Sequence, residues 1–167
     1  MSERPEVNRD ISDAERRIEN VVFCGTIEEV KYDPPRARVR YGEADGDDDR
    51  VSNWLPWSTG RAQNDRTWHP PEVGEQVVVV CPSGQLDQGV IMGSVNRNAQ
   101  PAPGDRETLR RTVYADGAVE EYDREANRYR LDVSEPGGTI ELISGTSKIV
   151  IKPGHIEIIA DRIDLNP

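Results

Sequence analysis

The chain has 167 residues, with 35% hydrophobic and 31% charged side chains and a formal net charge of −10. That length admits one domain plus an extension, with only a small core, and the acidic balance opposes binding to nucleic acid or to anionic membrane surfaces. No apolar run approaches the roughly 20 residues of a spanning helix, and the polar start MSERPEVNRD lacks the apolar stretch of a cleaved signal, so synthesis in the cytoplasm without signal-directed export is expected.

Residues 1–20 read as an N-terminal arm and short helix. Residues 1–10 are expected to lack regular structure; Ser12 then opens a helix, with Glu15 three residues on in the capping-box arrangement. Ile11, Ala14, Ile18 and Val21 form a narrow apolar stripe that would lean on a larger body. Residues 21–96 read as all-β, with strands predicted at Val21–Val30, Ala37–Tyr41, Val51–Leu55, Gln76–Cys81 and Gln88–Ser94. Asp33-Pro34-Pro35, residues 42–49, Pro70-Pro71 and Pro82 to Gly84 supply the turns. Five short strands in about 75 residues suit a small barrel such as the OB-fold. The unbroken run Val77, Val78, Val79, Val80 is expected to be buried on both faces. Cys24 and Cys81 lie far apart without zinc-ligand spacing and are expected as buried free thiols.

Residues 97–111 have the composition of a linker, and residues 112–167 read as a ladder of strands. Asp116-Gly117 joins TVYA to AVEEY, the signature of a two-residue hairpin. Tyr129–Val133 follows, and after Pro136-Gly137-Gly138 comes TIELISGTSKIVIKPGHIEIIADRIDLNP. There Ile140 and Leu142, Ile149 and Ile151, Ile156 and Ile158, and Ile163 and Leu165 alternate with polar residues, predicting four strands with one apolar face. No helical segment follows to cover that face, and a lone chain would leave it and its strand edges in water. The simplest solution is several copies burying it together. About seven strands stacked at about 4.7 Å would make a shaft on the order of 30 Å long. The absence of a fixed-period repeat argues against a solenoid of one chain.

The segment Trp54–Asn96 carries a series of linked motifs: W-L-x-W at Trp54 to Trp57, Arg61-Ala62, Arg66, Trp68, Pro71-x-Val73-Gly74-Glu75-Gln76-Val77, Gly84-x-Leu86-Asp87, and Gly89 to Gly93. Tyr114 to Tyr122 adds the pattern Phe/Tyr-x-Asp-Gly-Ala-x-x-Glu-Tyr. In this order, over residues 15–165, they resemble the baseplate assembly protein V family, the central membrane-piercing spike of contractile-tailed phages and R-type pyocins. The resemblance implies a homotrimer with an N-terminal OB-fold barrel and a C-terminal intertwined triple-stranded β-helix. The alternating Ile140 to Leu165 set would point to the shared axis, with Glu141, Lys148, Lys152, Glu157 and Asp161 outside. It implies a structural, non-enzymatic part of the virion's tail baseplate, made in the host bacterial cytoplasm, that docks on the tail hub and pierces the host outer membrane on sheath contraction. Many members end in a His-x-His motif from each chain that binds iron at the apex. This chain has only His69 and His155, neither with a His two residues away, so no metal or other cofactor is expected. Ile163, Asp164, Leu165, Asn166 and Pro167 are expected instead to seat a separate tip protein of the PAAR-repeat type; a truncated apex is the alternative.

Trp54, Trp57 and Trp68 could form a stacking platform for bases, giving a single-strand nucleic-acid-binding OB-fold as the rival reading. That use also needs a positive groove, which a charge of −10 opposes; packing in the barrel or at a trimer contact is the favoured role. Arg36, Arg38 and Arg40 alternate and so share one strand face. They are either a solvated face beside the acidic Glu43–Asp49 loop or a docking surface for the tail hub. No Gly-x-Ser-x-Gly, Walker loop or His-Glu-x-x-His is present, and carboxylates this numerous carry no glycosidase signal.

Overall fold

The computed structural model describes residues 4–42, 46 and 49–165, with side chains from Ile11 onward. The chain divides into two units, Met1–Gln100 and Pro101–Pro167. The first contains α1 (Arg4–Glu19), β1 (Val22–Tyr32), β2 (Pro35–Tyr41), β3 (Arg50–Val51), β4 (Gln76–Val80) and β5 (Val90–Ser94), with the strands in the antiparallel order β3-β2-β1-β4-β5. One segment closes this sheet into a barrel. Leu55 exchanges two 2.9 Å backbone hydrogen bonds with Ala37 of β2; Ile91 of β5 then donates to the Pro56 carbonyl, and Ser58 donates to that of Ile91. The residues after β3 therefore touch both edges of the sheet.

Strand alternation fills the interior. Ile27, Ala37, Val39, Val77 and Val79 point inward and meet Leu55, Cys81 and Ile91, each at most 2% exposed. Phe23, Val30, Trp57 and Leu86 pack around them. Gly25 is required here: a β-carbon would lie 2.4 Å from Val39 Cγ1 and 2.5 Å from the Arg40 carbonyl oxygen, so β1 approaches β2 more closely than any side chain allows.

Several expectations change. Val77 and Val79 are buried, but Val78 and Val80 are only half-buried, opposite Cys24 and Val22 on the outer face. A barrel covers only the inner face of its wall, so the run is buried on one face. The same alternation leaves Cys81 buried and Cys24 exposed; both are free thiols. The strand predicted at Val51–Leu55 stops after Val51, because the Ser52 hydroxyl accepts the Val39 N–H at 2.9 Å in place of a ladder carbonyl. The Gln88–Ser94 strand starts at Val90, since Leu86–Gln88 coils into a 3-10 turn.

The helix begins at Arg4 rather than Ser12, with Pro5 in the first turn, where its missing N–H costs no helical bond. Its C-terminal end rests on the Pro82–Gly84 turn: a β-carbon on Gly84, whose φ is +69°, would lie 2.1 Å from the Arg17 carbonyl oxygen. Gly84→Ala is therefore expected to detach the helix end, read as faster limited proteolysis between α1 and β1 while the barrel's tryptophan emission is kept. Ile11 and Ile18 are 51% and 72% exposed, so the helix stripe finds no full cover within one chain.

The second unit holds two three-stranded antiparallel sheets: β6 (Leu109–Val113), β7 (Val119–Asp123) and β8 (Arg128–Asp132), then β9 (Ile140–Ser144), β10 (Ser147–Lys152) and β11 (His155–Ile159). The β6–β7 connection is a three-residue loop, not two. Tyr114 donates to the Ala118 carbonyl at 2.9 Å, and Gly117, at φ +88°, takes the left-handed position such loops require. Ile163 and Leu165 form no strand: β11 is the sheet edge, and no further strand pairs with it among the described residues. Asn166 and Pro167 lie outside the described residues.

Candidate functional site

Two surfaces concentrate the candidate residues. The first is one face of the β9–β10–β11 sheet. Ile149 stands between Leu142 and Ile158, and Ile151 between Ile140 and Ile156. Six of the eight residues expected on an inner face therefore share one sheet face, and five of them are 37–66% exposed. Glu141, Lys148, Lys152 and Glu157 occupy the opposite face, where Val150 is buried between Glu141 and Glu157. Ile143 and Ile159 also lie on that face and are exposed, a departure from the simple alternation. Ala118 and Val150 are the buried hydrophobic residues described in this whole unit. So little core does not hold two small sheets on its own.

The β6–β7–β8 sheet solves the same problem with charge. Glu121 is 2% exposed and accepts from Arg111 Nε at 2.8 Å and from Arg128 at 3.1 Å. Asp123, 5% exposed, pairs with Arg106 at 2.7 Å and caps the turn at Glu125 and Ala126. Tyr122, Tyr129 and Leu131 stand exposed on the other face. The Arg111 hydrogen bond holds the Glu121 carboxyl below its ordinary range against the opposing effect of burial. Backbone donation from Ala126 does the same for Asp123, and Ser134 followed by Arg130 brings Asp132 to about 2. The unfolded chain thus takes up protons first on acidification. The stabilisation is complete above about pH 4.5, falls as pH drops through the carboxylate range, and loses the Asp132 contribution last. Amide protection factors in β6–β8, corrected for the pH dependence of intrinsic exchange, should fall below about pH 4 before those in β9–β11 do.

The second surface is on the barrel. Arg36, Arg38 and Arg40 share the outer face of β2, but their partners differ. Arg40 binds Glu28 through two 2.9 Å bonds and Asp49 at 2.7 Å, and the hydrogen bond from Arg40 lowers the Glu28 carboxyl from its ordinary value. Arg38 binds Glu29 at 2.8 Å and the Ser52 carbonyl. Arg36 donates to the Pro35 carbonyl and, among the described residues, pairs with no carboxylate.

The three tryptophans also separate. Trp54 lies beneath Lys31, 4.5 Å from its ammonium, and 5.9 Å from the Arg38 guanidinium. Trp57 packs on the barrel core and meets Trp68 edge-on at 5.9 Å; Trp68, 61% exposed, meets Tyr32 at 6.1 Å. Residues 58–68 form an irregular but pinned loop. Thr59 donates to the Thr67 carbonyl, Thr67 to that of Arg61, Arg61 pairs with Asp65 at 3.0 Å, and Ala62 bridges Arg66. Between this loop and the start of β2 lies a cleft of about 330 Å³ that brings Arg36 and Arg66 beside Trp57 and Trp68.

Sequence reasoning had placed Arg36 and the tryptophans in separate roles and had not singled out Tyr32. The available signal was the Asp33-Pro34-Pro35 turn, which bends Arg36 back toward the loop that ends in Trp68. Glu121 was also missed; arginines at 111 and 128 on the flanking strands were its signal.

Residues 23–95 match the family model of the type VI secretion system/phage-baseplate injector OB domain. The chain is also 31% identical, over 118 residues, to the spike protein of Escherichia phage P2, across 71% of this chain and 53% of that protein. It thus spans about half the length of the relative it matches. The barrel that carries the Trp57–Trp68 cleft is thus the part of the chain that is similar to the injector OB domain.

Proposed function

We propose that the chain is the central spike of a contractile tail or tail-like particle, a non-enzymatic structural part of its baseplate. Three copies wind residues 112–167 into a triple-stranded β-helix, with Ile140, Leu142, Ile149, Ile151, Ile156 and Ile158 facing the common axis. The observation that carries this reading is the exposed isoleucine face of β9–β11 in a unit almost without a core of its own. A closed bundle of three removes both the wet apolar face and the free strand edges, and it makes the shaft stiff. Stiffness is the property needed to breach an outer membrane under a contracting sheath. The OB-fold barrels dock on the tail hub through the outer face that carries Arg36. Ile163 and Leu165, 48% and 82% exposed, offer the shaft end to a tip protein of the PAAR-repeat type.

The test is thiol pairing on the axis. Ile158→Cys, made together with Cys24→Ser, should oxidise to a cross-linked pair with the third subunit's thiol left free, because a three-fold axis holds an odd number of sulfurs. Complete pairing of the introduced thiols, or no pairing at all, would contradict the proposal.

A further inference from the structure

We infer that the cleft between Arg36 and Trp68 receives an acidic peptide segment carrying one apolar side chain, contributed by the hub surface on which the barrel docks; this rests on the spike reading above. Its first support is the loop itself. From Ser52 to Glu75 the chain forms no helix and no extended strand, a length that compact domains keep chiefly for binding. Its hydrogen bonds nonetheless hold it in one shape.

The second support is charge. Around the cleft, Arg61 is neutralised by Asp65, and on the neighbouring face Arg38 and Arg40 are neutralised by Glu29, Glu28 and Asp49. Arg36 and Arg66 have no carboxylate partner among the described residues, although the chain as a whole carries −10. Two guanidinium groups lining one cleft fit carboxylates through paired N–H donation. The third support is the wall: Pro56, Trp57 and Trp68 give an apolar surface of a size to hold one side chain, and tryptophan with arginine is the usual composition of an interface anchor. A phosphate backbone fits less well, because Glu28, Glu29 and Asp49 line the adjoining face of the same barrel.

All three tryptophans lie between residues 54 and 68, so intrinsic emission reports the cleft in the full chain. The probes are a short peptide with one leucine flanked by Asp and Glu, the same peptide with Asn and Gln in their place, residues 42–49 of this chain (GEADGDDD) as acid without an anchor, and a short oligothymidine. The first should change the emission saturably and bind most tightly. The double variant Arg36→Gln with Arg66→Gln should weaken it about tenfold or more, and Trp68→Ala should remove it, while Arg38→Gln, outside the cleft, should leave it unchanged. Equal binding of the neutral peptide, tighter binding of oligothymidine, insensitivity to the double variant, or no binding by the native chain would each overturn the inference. Native mass on the same samples separates the two readings: a trimer that ignores the peptide refutes the cleft alone, and a monomer that binds it refutes the spike alone.

Discussion

Ile151→Asp should abolish the proposed trimer. Ile151 lies opposite Ile140 and Ile156 on the apolar face of β9–β11, and in the bundle three carboxylates would meet near one axis. Each buried charge without a partner costs on the order of several kcal/mol, and three of one sign also repel. Protonation offers the only relief, so any residual trimer should appear at acid pH. The matched control is Lys152→Ser, on the opposite face of the same strand, which should assemble normally. The readout is the fraction of trimer by analytical ultracentrifugation. A normal trimer from Ile151→Asp alongside a damaged one from Lys152→Ser would mean that the sheet presents its other face to the axis.

Leu55→Ala should destabilise the barrel by about 2–5 kcal/mol. Leu55 is fully buried, and its backbone makes one of the two contacts by which its segment closes the sheet. The truncated side chain leaves a void against neighbours such as Gly89, whose position lies close to both Leu55 and Cys81. The urea midpoint of tryptophan emission should fall accordingly, while assembly through residues 112–167 is retained. Loss of the trimer at the same urea concentration as the barrel would show that the two units do not unfold separately.

The parts of this fold legible in the sequence were those set by local periodicity. Alternation alone placed Ile140, Leu142, Ile149, Ile151, Ile156 and Ile158 together, because a strand offers two faces and the polar residues already claim one. Turn chemistry placed the Asp116-Gly117 connection to within one residue. What escaped was set by non-local packing. That Val78 and Val80 face outward depends on the barrel's closure, which sits in Leu55, Pro56 and Ser58 and has no periodic signature. The shortness of β3 follows from one hydroxyl, Ser52, taking one N–H. The cleft needed three separate stretches of chain, around Arg36, Trp57 and Trp68, to converge, and spacing along a sequence does not encode convergence. Glu121 illustrates the same limit: a glutamate in an acidic chain looks solvated until its two arginines are seen to cover it.

Everything proposed for the shaft rests on further copies of the same chain covering the isoleucine face of residues 140–158. Native mass spectrometry of the full chain tests this most directly. The prediction is a single species at three times 18.7 kDa, about 56 kDa, that persists on dilution because subunits sharing strands separate only by unfolding. A folded monomer of 18.7 kDa, stable with that face in water, would contradict it.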